Sequence, residues 1–108
     1  MTGPIDLLED KFRRGQAAIG VIGMGYVGLP LALLFAEKGF RTTGFDVDPE
    51  KVASLNAGRS YIRHIPSARI APLVADGRLG ASGAFARVAE MDAILICVPT
   101  PLGWEREP

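Results

Sequence analysis

Ala17-Ala18-Ile19-Gly20-Val21-Ile22-Gly23-Met24-Gly25-Tyr26-Val27-Gly28 begins the stretch on which the fold turns, and the stretch runs on to Asp46. It is an apolar run, a glycine turn, an apolar segment of helical period to Lys38, and a second run that ends in an acid. That succession is the strand, turn, helix and strand of a dinucleotide-binding unit. Gly23 lets the chain leave the strand in a tight turn, Gly25 leaves room for a pyrophosphate near the backbone, and Gly28 lets the helix pack closely on the sheet. The helix start offers unpaired backbone N–H groups to the same pyrophosphate. Asp46 follows Gly28 by 18 residues, the place of a strand-end carboxylate that accepts from the adenosine ribose hydroxyls. A glycine turn by itself can be no more than a close packing of strand on helix; the flanks on both sides favour a cofactor.

Outward from this unit the pattern continues. Ala18 to Ile22 is too continuously apolar to have an exposed face, as a parallel strand covered on both sides requires. Val27, Leu31, Leu34 and Phe35 are expected to turn one stripe of the first helix after the glycines toward the sheet, Gly39 stops that helix at a left-handed cap, and Arg41 to Phe45 is the second strand. Asp48-Pro49 is an N-cap and N1 pair for a helix carrying Val52 and Leu55 and ending near Ala57-Gly58. A shorter helix after Pro66 turns Ile70, Leu73 and Val74 inward, with Gly77 as its stop. Leu79 to Ser82 is a brief third strand of weak propensity, Phe85 to Glu90 a helical turn or two, and Ala93 to Val98 the clearest strand after the first. Residues 1–15, with Asp6, Glu9, Asp10 and Lys11 around Ile5, Leu7, Leu8 and Phe12, form either a short amphipathic helix or a tail. Residues 16–108 therefore read as an α/β, Rossmann-like doubly wound parallel sheet, truncated after about four strands in the order 3-2-1-4. The fourth strand returns beside the first and sets Val98-Pro99-Thr100-Pro101 across the crevice from Gly23 to Gly28. Two prolines hold the Thr100 hydroxyl in a stiff loop at that switch point.

The totals bound the rest. A chain of 108 residues allows one domain, and 48% hydrophobic with 22% charged residues is the composition of a globular protein. Twelve basic residues balance twelve acidic ones, so no nucleic-acid partner is suggested. One cysteine excludes an intrachain disulfide. With no signal peptide or membrane-length apolar run in evidence, a cytoplasmic location without a membrane partner is the default expectation. His64, the only histidine, has no partners for a metal cluster and is expected to order a loop; Cys97, inside Ile94 to Val98, is expected to be a buried small hydrophobe. Tyr26 either packs over a cofactor or covers the first helical turn. Arg41 could attract a 2′-phosphate, but Asp46 repels one, which favours NAD over NADP. Trp104 is a terminal-loop aromatic suited to covering a neighbouring surface.

Gly23 to Pro30, Gly44-Phe45-Asp46, Leu55-Asn56-Ala57-Gly58 and Ile96-Cys97-Val98-Pro99-Thr100-Pro101-Leu102, taken together, resemble the amino-terminal domain of the UDP-glucose/GDP-mannose dehydrogenase family. Ser60-Tyr61-Ile62-Arg63-His64-Ile65-Pro66 and Arg106-Glu107-Pro108 are most similar to its UDP-N-acetylglucosamine and UDP-N-acetylmannosamine 6-dehydrogenase branch, although Gly103-Trp104-Glu105 departs from that branch's pattern. The resemblance covers about residues 17 to 108. It implies NAD-dependent, two-step oxidation of a sugar C6 alcohol to a carboxylate, with two NAD per sugar and a cysteine thiol holding the intermediate. It implies further that Gly23, Gly25 and Gly28 form the pyrophosphate turn and that Met24, Tyr26 and Val27 supply backbone donors. Asp46 would bind the ribose, Thr100 would lie toward the nicotinamide, and Arg63 would stand near the cofactor or the domain edge. The family's catalytic cysteine, general base, lysine and asparagine lie beyond Pro108. The chain is therefore expected to bind a dinucleotide and not to turn over a UDP-N-acetylhexosamine. Its open fourth strand is expected to make it self-associate or join a homo-oligomer. Two alternatives stay open: a standalone dinucleotide-binding or regulatory module, and the first part of a 3-hydroxyacid or 6-phosphogluconate type dehydrogenase.

Overall fold

The computed structural model describes residues 4–98, with the side chains of Pro4 and Ile5 left aside. Its elements are α1 (Pro4–Arg13), β1 (Ala18–Ile22), α2 (Gly28–Glu37), β2 (Arg41–Phe45), α3 (Pro49–Asn56), α4 (Ser67–Ala75), β3 (Leu79–Ser82), a 3-10 segment (Phe85–Glu90) and β4 (Ala93–Ile96). The strands form one parallel sheet in the order β3-β2-β1-β4, the order expected from the crossover pattern. Register aligns Ile22 with Phe45 and with Ile96, and Phe45 with Ser82. Every strand therefore ends on the same side of the molecule, and the loops that follow Ile22, Phe45 and Ile96 meet there.

Alternation within β1 divides the core into two faces. Ile19 and Val21 are wholly buried in one cluster with Leu29, Ala32, Leu33 and Ala36 of α2, and with Leu55, Ile70 and Leu73 of α3 and α4; the helix thus turns this face to the sheet rather than the expected stripe, of which Val27 and Leu34 are exposed. The opposite face is thinner. There a Cβ at Gly20 would meet Met91 Cγ at 2.8 Å and Phe45 Cε2 at 3.3 Å, and the rings of Phe45 and Phe85 lie 5.9 Å apart. Ile94 and Ile96, aligned with Gly20 and Ile22, are exposed on it.

Local chemistry accounts for the element ends. Asp48 Oδ1 accepts from the Glu50 amide at 2.9 Å with Pro49 behind it, so α3 has the predicted cap. Gly39 turns the chain after α2 with φ +101°. Pro30 is the third residue of α2; Leu29 and Leu31 on either side of it donate to the Gly25 and Val27 carbonyls at 3.1 and 3.3 Å, so its missing N–H omits a single rung within the first turn, where proline is tolerated. The weak β3 is held from its free side by Asn56, whose Oδ1 accepts from the Ala81 amide at 2.8 Å while its Nδ2 donates to the Ala81 carbonyl at 2.9 Å. One amide side chain thus stands in for a rung of a neighbouring strand. Cys97 is half-buried rather than wholly buried, because it follows β4 and packs only against the rim of the core near Gly28.

Candidate functional site

The glycine turn is positioned by the carboxyl end of β1 and closed by α2. Gly23 has φ +93°, and a Cβ there would also lie 2.9 Å from the Cys97 carbonyl carbon and oxygen. A Cβ on Gly28 would overlap the Gly23 carbonyl oxygen, so strand end and helix start touch backbone to backbone. Gly25 is different. Its φ is not positive and a Cβ on it would meet nothing within 4 Å, so no contact among the described residues requires a glycine at this position. The space beside it is open to a ligand.

Above the turn lies a cleft of about 420 Å³, bordered by Gly23, Gly25 and Tyr26 on one side and by Phe45, Asp46 and Val47 on the other, with Lys51, Phe85 and Val98 at its margins. Asp46 is fixed in its lining: Oδ2 accepts from the Met24 amide at 2.8 Å and Oδ1 from the Asp48 amide at 2.9 Å. Each oxygen keeps lone-pair capacity for a further donor. Met24 itself is buried, its side chain lying against Gly44, where a Cβ would collide with it. Its amide is therefore engaged by Asp46, and the amides of Gly25, Tyr26, Val27 and Gly28 are the ones without an acceptor among the described residues. No side chain caps α2 at Val27, and its first turn holds no acid. Four free N–H groups at a helix start beside an anchored carboxylate suit a molecule that carries both phosphates and a diol.

The sequence-predicted residues divide as follows. Gly23, Gly25, Tyr26 and Asp46 line the cleft, Val27 and Gly28 begin the helix beneath it, and Tyr26 and Val27 are strongly exposed, Tyr26 at 77% and Val27 at 62%. Arg63 is exposed, with His64, at the middle of the turn 62–65 and outside the cleft lining. Thr100, with Pro99, Pro101 and Trp104, lies outside the described residues. Arg41 opens β2 and borders a second cavity at the opposite end of the sheet, so it does not face Asp46 across the cleft. Sequence reasoning passed over Tyr61, whose hydroxyl donates to the Met24 carbonyl, and Lys51, whose ammonium lies 5.9 Å from the centre of the Tyr61 ring. Burial pushes the Tyr61 phenol well above its ordinary range, and the charges of Asp46 and Asp48 push the same way. Among the described residues no group of histidine, cysteine and acidic side chains could hold a metal, and no helix is long and apolar enough to cross a membrane.

A parallel sheet with this strand order and a glycine turn at its switch point defines a Rossmann-like dinucleotide-binding fold. Residues 17–108 match the UDP-glucose/GDP-mannose dehydrogenase family, NAD binding domain, and the chain belongs to that family. It is 37% identical over 92 residues to the UDP-N-acetyl-D-mannosamine dehydrogenase of Escherichia coli K12, a match covering 85% of this chain and 21% of that protein. Two solved structures are also similar. The GDP-mannose dehydrogenase of Pseudomonas aeruginosa, a ternary complex, superposes with a TM-score of 0.72 at 33% identity, over 77% of this chain and 20% of that one. The UDP-D-ManNAc dehydrogenase of Pyrococcus horikoshii gives 0.73 at 30% identity, over 78% and 20%. The chain thus spans about a fifth of the length of the curated relatives it matches.

Proposed function

We propose that this chain is the NAD-binding portion of a nucleotide-sugar 6-dehydrogenase, a cytoplasmic enzyme. In the whole protein it would present NAD to the C6 alcohol of a UDP-N-acetylhexosamine, which is oxidised to a carboxylate with two NAD per sugar. The observation that carries the reading is a cleft lined by the anchored Asp46 carboxylate and by Gly25 and Tyr26, which begin the run of four amides, Gly25 to Gly28, without an acceptor among the described residues. Bound there, NAD supplies the hydride acceptor. This chain's residues then have three tasks. The amides hold the diphosphate, Asp46 accepts from the ribose hydroxyls, and the apolar rim of Val47, Phe85 and Val98 shields the nucleoside from water. Such positioning of the cofactor is what hydride transfer asks of a domain of this kind. The choice of a UDP-N-acetylhexosamine rests on the resemblance of Ser60 to Pro66 and agrees with the mannosamine-type relatives.

Calorimetric titration of the chain with NAD, with NADP alongside and Asp46→Ala as the comparison, tests the reading. Binding of NAD that weakens at least about tenfold in the variant supports it, and a folded chain that binds neither nucleotide refutes it. Asp46 disfavours a 2′-phosphate by charge, so NADP is expected to bind more weakly than NAD, with Lys51 the one cation bordering the cleft among the described residues. Self-association belongs to the same reading. Ile94 and Ile96 on β4, and Val98 just after it, are exposed, and the outer edge of β4 pairs with no strand among the described residues. Sedimentation should show a concentration-dependent rise in mass, and a monodisperse monomer at high concentration would contradict it.

A further inference from the structure

We propose that Tyr61 is a positioning residue for the dinucleotide turn: by holding the Met24 carbonyl, it sets the direction of the Gly25 N–H. The inference rests on the reading that the cleft takes a dinucleotide diphosphate, and it gives the Ser60 to Pro66 segment a task in that site. Residue 24 is held at three points. Its amide donates to Asp46 Oδ2 at 2.8 Å, its side chain is buried against Gly44, and its carbonyl accepts from the Tyr61 hydroxyl. The peptide joining Met24 to Gly25 is trans, so the Gly25 N–H points opposite to the Met24 carbonyl. Tyr61 does not line the cleft whereas Gly25 does, and the Gly25 amide has no acceptor among the described residues. A hydroxyl outside the cleft thus fixes a donor that serves the cleft.

The turn needs such a hold. Rotation of one peptide plane changes ψ of the residue before it and φ of the residue after, and a glycine after it sets almost no steric barrier to that rotation. No described residue beyond its chain neighbours lies within 4 Å of where a Cβ on Gly25 would be, so its smallness, which admits a ligand, also leaves the peptide before it without a steric hold. Tyr61 in turn is braced from both sides. Ser67 Oγ accepts from the Ser60 amide at 2.9 Å, and the Ser60 hydroxyl bonds to both the carbonyl and the amide of Ile62, at 2.9 and 3.1 Å. Ile62 and Ile65 anchor the segment in the core, and the Lys51 ammonium lies 5.9 Å from the Tyr61 ring centre. The chain therefore arranges this hydroxyl before any ligand arrives.

Tyr61→Phe, made in the whole chain, keeps the ring and removes the hydroxyl. Amide NMR of the ligand-free protein should show the Gly25 resonance shifted or broadened while that of Gly39, at the far end of the sheet, stays in place. Affinity for ADP-ribose should fall about fivefold, with adenosine, which meets Asp46 and lacks a diphosphate, changed less than about twofold. An unmoved Gly25 resonance, or equal losses for both ligands, would overturn the proposal in favour of a purely structural tyrosine. If the parent protein binds no ADP-ribose the dinucleotide reading fails, and the Gly25 resonance still decides the positioning role on its own. If the variant does not fold, 3-fluorotyrosine at position 61 retains the hydroxyl but alters its acidity. The Met24 carbonyl and Gly25 amide resonances should then both move, and constancy of both would overturn the proposal.

Discussion

The sheet has a cavity at each end, and glycines border both. At the carboxyl end the cleft of about 420 Å³ is bordered by Gly23 and Gly25; at the amino end a cavity of about 320 Å³ is lined by Gly15, Gly39 and Gly77 with Gln16, Arg41, Asp76 and Arg78. The amino-end glycines follow α1, α2 and α4, all have positive φ, and a Cβ on any of them would meet nothing within 4 Å. They are there for their own backbone angles. Gly28 is there because a neighbour's backbone fills the place of its Cβ, and Gly25 for neither reason. The two ends differ in polarity as well. Three helices finish at the amino end, where carbonyls carry partial negative charge and Arg41 and Arg78 are the fitting side chains, whereas α2 starts at the carboxyl end and is uncapped. Counting glycines would not tell the ends apart. Asking what each glycine is for does.

The sharpest break of that comparison is Gly28→Ala. With the Gly23 carbonyl oxygen already where the methyl would go, strand and helix must separate, and a loss of more than about 3 kcal/mol is expected. Urea unfolding measures it, and a near-neutral result would mean that β1 and α2 do not meet as described. Gly25→Ala should do the reverse. Stability should stay within about 0.5 kcal/mol of the parent, since the methyl meets no atom of the described residues, while NAD affinity drops at least about tenfold, roughly 1.4 kcal/mol. Destabilisation with unchanged binding would show that Gly25 is structural after all. Gly39→Ala sharpens the contrast from the other end. It forces an alanine to φ +101°, should cost about 1 kcal/mol in unfolding, and should leave NAD affinity unchanged.

Much of this was legible in the sequence because the signals were local. The continuous apolar β1, the glycine turn, the Asp48-Pro49 cap and the stop at Gly39 each depend on residues a few positions apart, and together they imply the strand order. Even β3, poor in propensity, lay where the pattern required. What local reading could not supply were partners far apart in the chain. Asn56 supports β3 across 25 residues, Tyr61 reaches Met24 across 37, and Met24 explains why position 44 is glycine. Asp46 was legible as a carboxylate at a strand end, but its anchoring by the Met24 amide was not, so Met24 was expected to stand free as a donor. The signal for Tyr61 is a polar group without a local partner in a segment otherwise anchored by Ile62 and Ile65; Arg41 is set aside once β2 is seen to begin, rather than end, with it.

The two ends also hold one aspartate each in a similar grip of hydrogen bonds. At the amino end Asp92 Oδ2 accepts from the Ala18 amide at 2.8 Å and Oδ1 from the Lys11 ammonium at 3.1 Å, which joins α1 to the start of β1 and β4. The Ala18 hydrogen bond first, and Lys11 after it, hold the Asp92 carboxyl below the usual carboxylate range. A carboxyl whose pKa is lower folded than unfolded contributes its full stabilisation above the unfolded value, near 4, and loses it as pH falls through the folded one. Glu37, lowered by its hydrogen bond to Arg69, has the same sign. Asp92→Asn should therefore be less stable than the parent at pH 7, by at most about 1 kcal/mol because Lys11 is half exposed, and the gap should narrow below pH 4. Urea unfolding of both proteins at several pH values measures it. A gap that persists unchanged at pH 3 would mean that the aspartate's shape rather than its charge secures α1, and that the amino end is held by packing of Phe12 on Phe40, whose ring centres lie 6.0 Å apart.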